Sequence, residues 1–127
     1  MLPSRQKEKY CLLTEALEEA LRIMKPGLPI SEIAKKQNGI IGAGGYEKYC
    51  HPPFMRSRGH NFGLGQIDLT EDAEGVLLPG MAMVVHPNQY IPETGYLACG
   101  ETVYVTETGI IRVNATPAVL YEVEARA

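Results

Sequence analysis

The chain has 127 residues, 45% of them apolar and 21% charged, and a net charge of −3. That is the size and composition of one globular domain, so residues 1–127 are read as a single unit. The acidic balance excludes the basic footprint that nucleic-acid binding needs, and no apolar run approaches the ~20 residues of a membrane span.

Pro3, Arg5, Lys7, Glu8 and Lys9 interrupt any signal-peptide core at the start of the sequence. From Tyr10 onward, Leu12, Leu13, Ala16, Leu17, Ala20, Leu21, Ile23 and Met24 recur at three- and four-residue steps. This spacing predicts a helix with Ser4 as its N-cap and Pro26-Gly27 as its stop. A second helix is expected from Ser31, with Glu32 in its first turn and Asn38-Gly39 as an early break. Gly42-Ala43-Gly44-Gly45 follows that helix and lacks Gly-Lys-Ser/Thr, so it reads as a cap and turn rather than a phosphate loop.

Beyond Tyr46 the pattern changes to loops and strands. His51-Pro52-Pro53 is expected to be extended. Met81 to His86 is a short apolar run, as a buried strand would be, ended by Pro87-Asn88. Tyr96 to Thr106 reads as one strand with a bulge at Gly100. Thr108-Gly109 turns it back through Ile110 to Val113, and Val119 to Val123 is a last short strand. Helices first and antiparallel strands later make an α+β chain. The three cysteines, Cys11, Cys50 and Cys99, are odd in number and form no Cys-x-x-Cys pair. They argue for reduced thiols in a cytoplasmic protein rather than a disulfide framework or zinc knuckle.

Two stretches carry a resemblance. Arg58-Gly59-His60-Asn61-Phe62-Gly63-Leu64 looks like the Gly-His-x-x-Gly turn of the pita-bread hydrolases: creatinase, aminopeptidase P, prolidase and methionine aminopeptidase. Leu78 to Pro87 looks like that family's Pro-Gly-Met strand, which normally ends Glu-Pro, and Gly95 to Gly109 resembles its closing hairpin, which normally carries Glu-Asp-Thr. The likeness runs from about Leu2 to Val123. It implies half of a pita-bread fold, the C-terminal one, with two N-terminal helices packed on a curved antiparallel sheet.

The resemblance also implies what is altered. Peptidases of the family hold two divalent metals, such as manganese, cobalt or zinc, with two aspartates, one histidine and two glutamates. The aspartates belong to strands upstream of the helix ending at Pro26, so this chain is expected to lack them. Asp68 and Asp72 lie downstream of His60 and do not replace them. His60 matches the histidine, His86 stands at the first glutamate, and Gly100 at the second, with Glu101 one position late. Ile67 occupies the usual place of a second, substrate-facing histidine. Paired dications need several anionic oxygens, so no resident metal cofactor is expected.

His60, His86 and Glu101 are therefore the candidate catalytic residues. His60 is a ligand or general base or acid, or else a remnant held by backbone hydrogen bonds. His86 is a substitute imidazole facing His60, or a satisfied strand-end histidine. Glu101 reaches the site only if a bulge at Gly100 reverses its face. His51 would complete a three-histidine zinc set, but it sits beside two prolines in an expected loop.

Three functions follow. The first is a metal-independent C–N hydrolase half acting on a small amide, a guanidino compound or an Xaa-Pro peptide. The second is a peptide- or protein-binding module using the altered cleft. The third is an inactive remnant. A half-fold leaves sheet surface uncovered, so a homodimer is expected.

Overall fold

The computed structural model describes residues 4–63 and 65–125; Leu2 and Leu64, both part of the motif reading, lie outside them. Helix α1 spans Ser4–Ile23 and α2 spans Ile30–Ile41. The strands are β1 (Gly59–Asn61), β2 (Ala82–Val85), β3 (Gln89–Ile91), β4 (Gly95–Leu97), β5 (Glu101–Val105) and β6 (Ile110–Arg112). Four strands form one antiparallel sheet in the order β1-β2-β5-β6, and β3-β4 is a separate hairpin.

The helices form for the reason their spacing suggests. Leu13, Ala16, Leu17, Ala20 and Leu21 place one buried stripe on α1. Ile30, Ile33, Ala34, Gln37, Asn38 and Ile41 do the same on α2. Ser4 lies inside the first turn of α1 rather than before it. Asn38-Gly39 does not break α2, because Asn38 is tied down on both sides of its amide. Arg58 Nε donates to its Oδ1 at 2.6 Å, and its Nδ2 donates to Glu71 Oε1 at 2.8 Å. The helix runs into a widened turn over Gly42–Tyr46, and Gly45 at φ +99° ends it.

One face of the four-stranded sheet meets the helices. Met83, Val85, Val103 and Val105 pack there with Leu17, Ala20, Leu21, Met24, Ile30, Ile33, Leu69 and Leu77. Each large side chain so enclosed contributes about 1.5–3 kcal/mol. A second cluster of Leu13, Ala16, Ile41, Tyr46, Cys50 and Ile91 seats the β3-β4 hairpin. The loop between the helices is stitched to the segment before β2. Gly27 N–H donates to Leu77 O at 2.8 Å, and Leu77 N–H donates to Leu28 O at 2.9 Å.

Three further expectations need correction, and one strand was not expected. Tyr96 to Thr106 is not one bulged strand. Tyr96 pairs with Tyr90 in the hairpin, Glu101 pairs with Val85 in the main sheet, and Ala98 to Gly100 crosses between them. The strand β3, immediately after Pro87-Asn88, was hidden by its brevity. His51 to Phe54 is a turn closed by Phe54 N–H to His51 O at 3.0 Å, with a cis Pro52–Pro53 bond; the proline rules restrict φ and ψ but leave that bond its choice. Val119 to Val123 joins no sheet.

Candidate functional site

The sheet pleat decides which of the candidate residues meet. Directly paired residues of an antiparallel sheet share a face. His60, Val84 and Thr102 form one such row, and Gly59, Val85 and Glu101 the next. The first row points away from the helices and the second points into the core. Glu101 is only 4% exposed, and its Oε1 has no hydrogen-bond partner among the described residues. The bulge that would have turned it toward His60 is absent, so the structure separates Glu101 from His60.

His60 and His86 do come together. Their ring centroids lie 5.3 Å apart at an interplanar angle of 60°. His60 Nδ1 lies 3.0 Å from Asn61 O. A carbonyl only accepts, so Nδ1–H donates, and in the neutral ring Nε2 carries the lone pair. The half-exposed Phe62 ring packs edge-on against His60, with centroids 6.0 Å apart. An open pocket of about 440 Å³ lies beside His60, lined also by Asn61, Gly63, Gly65 and Gln66. His86 is half-buried; its backbone N–H donates to Arg58 O at 3.0 Å, and its Nδ1 is buried without a partner among the described residues. Burial pushes the His86 imidazole below its ordinary pKa, and the His60 and Arg58 charges add to that, while its backbone hydrogen bond and Asp68 oppose it.

The structure brings in Asp68 where sequence spacing did not. Asp68 faces His60 across an isolated antiparallel bridge, and its exposed carboxylate accepts from Gln66 Nε2 at 3.0 Å. His51 is elsewhere. It lines a surface groove with Asn38, Cys50, Arg56 and Glu71. Ile67 packs against the main core cluster. Tyr90 and Tyr96 belong to a surface stack with Tyr49 and Phe54.

A two-metal cluster does not fit these residues. Gly100 lies against His86: a Cβ there would sit 3.2 Å from His86 Cβ and 3.2 Å from Val85 O. A side chain at position 100 would therefore press on the His86 Cβ and the Val85 carbonyl, and one of them would have to give by a few tenths of an ångström. Among the described residues, no group of three or more His, Cys, Asp or Glu side chains is arranged to hold a metal ion.

Sequence reasoning missed Arg58. It is fully buried, and burial lowers its pKa against the opposing influence of Cys50 and Glu71. Its one signal was a charged residue directly before the Gly-His pair. The cysteines are all free; Cys50 is buried and Cys11 exposed. The Cys99 thiol is pushed up to about 12, by burial first and the Glu18 charge second. No helix among the described residues is long and apolar enough to cross a membrane.

The chain matches known proteins over nearly all of its length. The Xaa-Pro dipeptidase of Pyrococcus furiosus is 33% identical over 88% of this chain and 32% of its own length. The solved prolidase of that organism superposes with a TM-score of 0.81 at 32% identity, over 92% of this chain and 34% of that one. An Xaa-Pro dipeptidase from Bacillus anthracis gives 0.82 at 30% identity, over 94% and 34%. The chain thus spans about a third of the length of these relatives, and its α+β architecture is part of their pita-bread fold. The model of metallopeptidase family M24 covers residues 2–107, and the chain belongs to that family.

Proposed function

We propose that this chain is one part of a C–N hydrolase of the M24 type in which an imidazole pair works without the family's two-metal cluster. The observation that carries this reading is the His60–His86 pair at 5.3 Å, with Gly100 seated against His86 in place of a second carboxylate. The substrate class is a small amide, a guanidino compound or an Xaa-Pro peptide. His60 Nε2 accepts a proton from the attacking water as its oxygen bonds to the substrate carbon. The same nitrogen returns the proton to the departing nitrogen as the C–N bond breaks. His86, kept mostly neutral at pH 7 by its lowered pKa, lies beside His60 without adding a second charge. Groups that bind the rest of the substrate come from outside this chain, since relatives of known structure are about three times longer. The setting is cytoplasmic, consistent with three free thiols.

The test is hydrolysis of Xaa-Pro dipeptides and small guanidino compounds, with and without added manganese, cobalt or zinc, beside calorimetric titration of each metal. The expected result is turnover independent of added metal and no tight binding of two equivalents. Turnover only in the presence of metal, with two equivalents bound, overturns the reading.

A binding module is the second reading, and one observation favours it. Tyr104 and its cross-strand partner Ile111 lie on the sheet face away from the core, 45% and 58% exposed, with Phe62 and Val113 also exposed. A face of this kind marks an interaction surface. Covering it with a second copy about a two-fold axis gives a homodimer. Light scattering at micromolar concentration is expected to return twice the chain mass of 14.0 kDa. A clean monomer counts against it.

A further inference from the structure

We propose that Arg58 is the positioning residue of the imidazole pair: its backbone and guanidinium together fix the turn that carries His86 against His60. This rests on the reading that the pair is the working part of the site.

Both ends of Arg58 grip the same segment. Its carbonyl accepts the His86 N–H at 3.0 Å. Its side chain then reaches the two residues that follow Pro87. Nη1 donates to Asn88 O at 2.7 Å, and Nη2 donates to Gln89 Oε1 at 2.6 Å. Gln89 is held in turn, its Nε2 donating to Tyr49 O at 3.0 Å and Tyr90 O at 3.1 Å. The third donor, Nε, bonds Asn38 Oδ1 on α2 at 2.6 Å. The guanidinium thus spans from α2 to residues 88–89, and the segment 86–89 cannot shift relative to Arg58 without breaking these bonds.

Packing alone does not explain such a residue. Its three acceptors are two neutral amide side chains and a backbone carbonyl, so a cation is fully buried with no carboxylate in contact among the described residues. An apolar side chain of similar volume would fill the same space without the guanidinium's desolvation cost, but would leave those three acceptors without their donor. What it would not do is hold three acceptors at fixed angles, which a planar fork does and an ammonium does not.

The test is the nuclear Overhauser cross-peak between the His60 and His86 ring protons in the full chain. It is compared in wild type, Arg58→Met, Arg58→Lys and Asn38→Ala. Wild type shows the cross-peak. Arg58→Met loses it while cross-strand amide contacts between β2 and β5 persist. Asn38→Ala keeps it, despite a lowered Tm, because the bonds to Asn88 and Gln89 remain. Should Arg58→Met fail to fold, Arg58→Lys decides: loss of the cross-peak in the folded protein supports the proposal, and retention overturns it. A cross-peak unchanged in folded Arg58→Met, or lost equally in Asn38→Ala, also overturns it. This readout needs no turnover, so a positioned pair that hydrolyses nothing would leave Arg58 in its role and remove the catalytic reading alone.

Discussion

Gly59→Ala is expected to destabilise the chain by about 3 kcal/mol or more and to lower Tm on the order of 10 °C, measured by thermal and urea unfolding. Two independent costs meet at this position. Gly59 has φ +144°, which L side chains rarely adopt. A Cβ placed on it would lie 2.1 Å from Val84 O and 2.6 Å from Leu69 Cδ1. The carbonyl belongs to β2 and cannot rotate aside as a side chain would. The position is also fixed by its backbone: Leu69 N–H donates to Gly59 O at 2.9 Å, and Arg58 N–H donates to Leu69 O at 2.8 Å. The strain therefore has no local outlet and must open β1 from β2, taking His60 with it. Native stabilities are about 5–15 kcal/mol, so a loss of this size is a large share of the total. Gly39→Ala is the contrast. It lies inside α2 with nothing within 4 Å of an added Cβ, and it should stabilise by about 0.5–1 kcal/mol. Equal effects from the two substitutions would contradict the account of Gly59.

The contrast between Gly59 and Gly39 also shows what a sequence discloses and what it withholds. Apolar spacing is a local signal, and it located α1, because one buried stripe is all that helix needs. In α2 the same signal conflicted with Asn38-Gly39, and the conflict is resolved by Arg58 and Glu71, which lie 20 and 33 residues further on. No local window holds that information. The hairpin of β3 and β4 was illegible for another reason: three residues per strand are too few to show a period. His60 and His86 were legible because short motifs mark them. Their contact was not, since it depends on β1 pairing with β2 in one register, where a single-residue slip would invert the faces. Glu101 shows the same physics from the other side. Its place next to a presumed bulge left two faces open, and the continuous pairing of Val85 with Glu101 selects the core face.

That selection sets the sharpest functional expectation. His60→Ala is expected to lower kcat/KM by about 10²–10⁴-fold, the usual range for loss of a general acid or base. Glu101→Gln is expected to leave it within a few fold. His60 lines an open pocket, and with Nδ1–H committed to Asn61 O, Nε2 is the nitrogen left for substrate. Alanine there removes the one proton acceptor assigned to the attacking water. Glu101 lies on the core face of the sheet, 4% exposed, with Oε1 unbonded among the described residues. Glutamine keeps the shape of the side chain and one acceptor oxygen, so Glu101→Gln should hold stability. Measuring kcat/KM and urea midpoints for both variants separates the two roles. A collapse of turnover in a stably folded Glu101→Gln would place the working carboxylate on the core face and force a different register for β5. Parallel losses of turnover and stability in His60→Ala would instead make His60 a structural residue, because a proton acceptor in an open pocket carries little of the fold.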